Sequence, residues 1–161
     1  MDKKRSFPVF IATGFYSGLS PIAPGTMGSL VVLLAFLALS VWAPVFLITP
    51  AMVVWSAVLT AISIKSSQWC LDHQVFGEEH GDPKQIVIDE FAGMAVALVG
   101  VGTTIEHVFL AFIAFRFFDI VKLPPINKLE KLPGGLGITA DDILAGIYAN
   151  IGVQLTFLLT G

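Results

Sequence analysis

The chain is poor in charge and almost without cysteine. Only 13% of its 161 residues are Asp, Glu, Lys or Arg, and Cys70 is the single cysteine. One cysteine excludes an internal disulfide. Cys70 also lies outside any Cys-x5-Arg phosphatase loop, because Phe76 stands at the arginine position, and it reads as an ordinary buried residue. Nine Lys and Arg against twelve Asp and Glu, a net charge of −3, exclude a nucleic-acid footprint. Strand-like alternation is weak. No glycine-rich turn ends in Gly-Lys-Ser/Thr, and neither an Asp-x-Asp nucleophile motif nor the Pro-Ser-Gly-His of acid phosphatases occurs. The basic start, Met1 to Arg5, precedes a short apolar stretch that runs into a Gly/Ser/Pro loop, which does not resemble a cleavable signal.

What is present is apolar. Hydrophobic residues make up 55% of the chain, above the usual 45–50% of globular domains, and mean hydropathy is +0.83. Apolar runs at 30–43, 45–64, 86–101, 105–121 and 141–159 are separated by Gly/Pro loops. They predict one all-α domain over 1–161, a compact multi-helix membrane protein of about five main apolar helices plus a short N-terminal helix. A spanning helix needs about 20 residues, so the second and last runs qualify and the others are marginal. Lys3, Lys4, Arg5, Lys65, Lys84, Lys122, Lys128 and Lys131 fall at the N-terminus or in two polar loops, whereas the turns at 44–50 and 100–106 carry only Glu106. If every run crosses, the positive-inside rule puts the N-terminus and both polar loops in the cytoplasm.

Against this background two adjacent acid pairs stand out, Asp89-Glu90 and Asp141-Asp142, each at the expected start of an apolar helix. One acid there complements the helix dipole, for about 0.3–1 kcal/mol at an exposed end. Two adjacent acids are costly unless a cation compensates them, and a hard divalent ion such as Mg²⁺ prefers carboxylate oxygens. Both stretches read Asp-x-x-Ala-Gly, and Gly93 and Gly146 would let the two helices cross closely and bring their acids together. Arg116, Asp119 and Lys122, spaced i, i+3, i+6, share a helix face, where an acid can hold metal and the cations phosphate. Around Pro24-Gly25-Thr26-Met27-Gly28-Ser29, a glycine turn opens a helix whose free amides, with the Thr26 and Ser29 hydroxyls, suit an anion; an ordinary N-cap is the simpler alternative. His73, His80 and His107 have no metal-ligand spacing and read as solvated. Trp42, Trp55 and Trp69 read as interfacial anchors or core.

These motifs, Ser17 to Leu30, Asp89-Glu90-Phe91-Ala92-Gly93-Met94, Phe115-Arg116-Phe117-Phe118-Asp119 and Gly134-Gly135-Leu136-Gly137-Ile138 with Asp141-Asp142-Ile143-Leu144-Ala145-Gly146, resemble in kind and order those of the phosphatidylglycerophosphatase A family. The resemblance spans roughly residues 10 to 150. It implies a multi-pass, Mg²⁺-dependent lipid phosphatase of the bacterial inner membrane that converts phosphatidylglycerophosphate to phosphatidylglycerol and inorganic phosphate. Where the family commonly reads Lys-Pro-x-Pro, this chain has Lys122-Leu123-Pro124-Pro125, which keeps the lysine. On this reading Asp89, Glu90, Asp119, Asp141 and Asp142 supply the metal ligands and a general base. Gly25, Thr26, Gly28, Ser29, Arg116 and Lys122 hold phosphate oxygens. The partner is the phospholipid, with no obligate protein partner evident. A CDP-alcohol phosphotransferase would need Asp-Gly-x-x-Ala-Arg, which is absent. A membrane ion carrier or non-catalytic scaffold would explain intramembrane acids but not the glycine-rich anion turn.

Overall fold

The computed structural model describes residues 6–77 and 83–160, and among them every regular element is helical. In chain order these are α1 (Phe7–Ala12), a 3₁₀ turn at Ser17–Leu19, α2 (Pro24–Trp42), α3 (Val45–Asp72), α4 (Ile88–Ala97), α5 (Ile105–Val121), α6 (Ile126–Leu129) and α7 (Gly134–Thr160). Prolines mark the starts: Pro24 occupies the first position of α2, where its missing N–H costs nothing, and Pro44 caps α3. Lys3, Lys4, Arg5, Glu78, Glu79, His80 and Asp82 lie outside the described residues.

Among the described residues, three helices are long and apolar enough to cross a membrane: α2, α3 and residues Gly134–Leu159 of α7. Their outer faces carry Leu34, Val41, Val53, Val54, Ile151, Leu155 and Leu158, all exposed. So much uncovered apolar surface fits lipid rather than water as the surrounding medium. Trp42 is 87% exposed at the end of α2, whereas Trp55 and Trp69 pack against the core.

The run at 86–101, marginal in length for a span, is too short as a helix to cross. It forms α4, only 10 residues long and nearly all buried, packed against α7, α3, α2 and α5. A helix that short ends inside the protein, and its last carbonyls need partners there. Asn150 of α7 supplies them, donating from Nδ2 to Ala97 O (3.0 Å) and Val99 O (2.6 Å). A turn at 98–104 then leads into α5, which runs back to Lys122.

The last helix begins at Gly134 rather than Asp141. Gly134, Gly135 and Gly137 read as a loop from composition, yet a side chain at Gly135 would meet the Ile64 carbonyl and Gln68 of α3. Glycine is there because two backbones touch. Gln68 Oε1 accepts from Gly135 N (2.9 Å), and Thr139 bonds Ser63 across the seam (2.7 Å). Cys70 is buried, as expected.

Candidate active site

The glycines of the two Asp-x-x-Ala-Gly stretches meet. A Cβ on Gly146 would meet Gly93 O, and one on Gly93 would meet Asp142 O and the Phe115 ring. That crossing brings the acid-bearing turns of α4 and α7 together. Carboxylate oxygens of Asp89, Glu90 and Asp142 all lie within 4.8 Å of one another. Asp89 and Asp142 are each 3% exposed. Glu90 Oε2 and Asp142 Oδ2 are buried without a hydrogen-bond partner among the described residues. Because α7 starts at Gly134, Asp142 sits more than two turns inside the helix, beyond the reach of its N-terminal dipole. Capping does not account for it.

Asp119 joins the cluster from α5. It lies against Asp142 and close enough to Glu90 to repel its charge. Its Oδ2 also pairs with Arg116 Nη1 at 2.8 Å. The same nitrogen points to Ser29 Oγ (3.4 Å), which itself donates to Gly25 O (3.0 Å). Burial raises the Glu90 carboxyl to about 6; its hydrogen bond with Asp89 and the charge of Arg116 hold it from going higher, while Asp119 adds to the rise.

Asp141 diverges from its neighbour. Successive residues of a helix point about 100° apart, so Asp142 faces α4 and Asp141 faces Lys122, its Oδ2 taking a hydrogen bond from Nζ at 2.8 Å. Lys122 also pairs with Glu130 at 3.1 Å. Burial alone would lower the Lys122 ammonium, but Asp141 and Glu130 outweigh it and hold the group above its usual range.

The stretch from Pro24 to Ser29 is not a loop but the first turns of α2. Gly25 packs against the Glu90 carboxylate and the Arg116 guanidinium, at the cluster's edge. Gly28 instead packs on Val87 and is not brought to the acids. Ser29 is fully buried and reaches the site through Arg116, and Thr26 is half-buried in the first turn. The two described histidines stay away: His73 stacks on Trp69, and His107 packs on Phe157 rather than being solvated. Glu130, the second partner of Lys122, is a residue that sequence reasoning missed. It carries no motif and sits between Leu129 and Lys131 in a connecting segment.

Comparison with known proteins adds an independent line. The family profile of Phosphatidylglycerophosphatase A matches residues 10–157. A protein of Bacteroides thetaiotaomicron, provisionally named a phosphatidylinositol-3-phosphatase, is 38% identical, covering 99% of both chains. Phosphatidylglycerophosphatase A of Haemophilus influenzae is 37% identical over 89% of this chain and 84% of its own, and that of Escherichia coli 37% identical over 86% and 77%. No solved structure matches. With the profile covering nearly the whole chain and full-length relatives sharing more than a third of its residues, this protein belongs to the phosphatidylglycerophosphatase A family and is a phosphatase.

Proposed function

We propose that the protein is a Mg²⁺-dependent phosphatase of phosphatidylglycerophosphate, producing phosphatidylglycerol and inorganic phosphate at the cytoplasmic face of a bacterial inner membrane. The observation that carries this reading is the acid cluster of Asp89, Glu90 and Asp142, flanked by Arg116 and Lys122, at one end of three apolar helices long enough to span. Asp142 lies eight residues into α7, roughly 12 Å along its axis. That depth suits the phosphate of a lipid headgroup better than a free solute in bulk water.

The residues fit a hard divalent cation. Every donor in the cluster is a carboxylate oxygen, and Glu90 Oε2 and Asp142 Oδ2 are buried with their hydrogen-bonding capacity unmet. Asp89, Glu90 and Asp142 would hold the ion, with Asp119 at their edge. When bound, Mg²⁺ neutralises charge on the phosphoryl group and favours water as a nucleophile. The chain's own groups do the rest. Arg116 and Lys122 hold phosphate oxygens, Ser29 and Asp119 hold the Arg116 guanidinium in place, and Asp141, whose Oδ1 has no hydrogen-bond partner among the described residues, takes the proton of the attacking water. As water oxygen bonds phosphorus, the bond from phosphorus to the glycerol oxygen breaks, and that oxygen leaves as the alcohol by taking up the proton that Asp141 accepted from the water. Positioning and charge stabilisation carry most of such a reaction.

The relative named for phosphatidylinositol 3-phosphate matches over its whole length and makes that lipid the second candidate substrate. Purified protein in detergent is given each lipid with Mg²⁺ and then with excess EDTA, and released phosphate is measured. Mg²⁺-dependent release from phosphatidylglycerophosphate, faster than from the phosphoinositide, is the expected result. The reverse ranking would reassign the substrate. No release from either lipid by folded protein would sink the proposal.

A further inference from the structure

Lys122 closes α5 in a left-handed conformation (φ +47°), and its ammonium bridges two carboxylates on different elements. The two differ in kind. Asp141 has a side chain 5% exposed on a long helix of the core, whereas Glu130 is 50% exposed at the end of the four-residue α6. A half-exposed ion pair contributes little to stability, so fold maintenance does not explain Glu130 well. An ammonium has three donors, and two are taken here. Phosphate arriving at Lys122 brings negative charge next to the Glu130 carboxylate, and of the two partners Glu130 is the one free to swing into solvent.

We infer that Glu130 is a positioning residue that latches Lys122 between turnovers: its carboxylate stands in for phosphate, keeps the ammonium aimed beside Asp141, and returns to it as product phosphate leaves. This rests on the assignment of Lys122 to the phosphate in the proposed function. The exposed Lys128 and Lys131 flank Glu130 in sequence, but only Lys122 is recorded in an ion pair with it among the described residues. Glu130 thus raises the dissociation constant for phosphate and speeds its release.

The test is binding of inorganic phosphate to the full-length protein in detergent with Mg²⁺, followed by titration calorimetry, so lipid hydrolysis is not needed for the readout. Glu130→Gln is expected to bind phosphate roughly three- to fivefold more tightly, the order expected for losing one partly exposed charge pair. KM for the lipid should fall with it while kcat does not rise, and the melting temperature should stay put. In a Lys122→Met background the same substitution should leave phosphate binding unchanged. Equal phosphate affinity in wild type and Glu130→Gln would overturn the latch, as would a shift that persists without Lys122. Should Glu130→Gln melt several degrees lower, Glu130→Asp decides, since it keeps the charge: a melting temperature and phosphate affinity that both return to wild type support the latch, and a restored melting temperature with phosphate bound as tightly as by Glu130→Gln overturns it. Loss of lipid hydrolysis in wild type, with the phosphate result intact, would count against the proposed substrate instead.

Discussion

Glu90 occupies the first turn of α4, where one acid is ordinarily welcome, yet burial raises its carboxyl to about 6. The sign of its linkage follows. A carboxyl whose folded value lies above its ordinary 4.5 favours the folded state below that value, and the contribution disappears as pH rises through about 6. Protein stripped of divalent metal should therefore be less stable at pH 7 than at pH 5, and melt at a lower temperature, with about 1 kcal/mol of the loss coming from this group. Glu90→Gln should flatten that dependence, as followed by differential scanning fluorimetry in EDTA; an unchanged slope would remove Glu90 from the strained set. Asp142→Asn tests the same cluster from α7. We expect turnover to fall at least about a hundredfold, the scale of losing one preorganised charged group, while the variant stays folded, since it removes one of several like charges. Retained activity would take Asp142 out of the site. Acids conspicuous in an apolar chain made Asp89, Glu90 and Asp142 legible in the sequence. Sequence adjacency, however, could not show that Asp141 faces away from Asp142 toward Lys122, nor that Glu130 reaches the same lysine.

Helix boundaries were harder to read than helix faces. The repeated Asp-x-x-Ala-Gly pattern predicts a close crossing of α4 and α7, and the contact of Gly146 with Gly93 O bears it out. The same residue type misled the reading at Gly134, Gly135 and Gly137, where low helix propensity pointed to a loop and the close approach of α3 keeps the chain helical. Likewise, hydropathy over 86–101 could not reveal that the helix stops at Ala97, because the groups that end it, Asn150 and its bonds to Ala97 O and Val99 O, come from another part of the chain. A substitution pair separates packing glycines from incidental ones. Gly146→Val should cost about 1–3 kcal/mol through overpacking and lower activity together with stability, because it pries the acid-bearing turns apart. In contrast, Gly152→Ala on the same helix has nothing within 4 Å of the new methyl and should be neutral or slightly stabilising. Equal behaviour of the two in thermal melts and phosphate-release assays would refute the crossing as the element that assembles the site.

Across the whole molecule, the ion-paired charges of the described residues gather toward one end. Gly25, Arg116, Lys122 and Asp141 gather at one end, while Asn150, Gln154 and the His107–Phe157 contact mark the other. The charge map made this legible in the sequence, and it holds whether or not α4 and α5 span. Since α4 enters and α5 returns, dropping both from the count of spans leaves every polar loop on the face first expected. The proposed orientation then predicts a labelling pattern in intact cells and inverted vesicles. In a Cys70→Ala background, which removes the one native thiol, single cysteines at Lys84 or Lys128 should react with a membrane-impermeant maleimide only in inverted vesicles. A cysteine at Val45, the first residue of α3, should react only in intact cells. Labelling of Lys84 and Val45 variants from the same side would mean that α3 does not cross. A swap of sides would turn the acid cluster outward and place its lipid substrate in the opposite leaflet, with the helical packing unchanged.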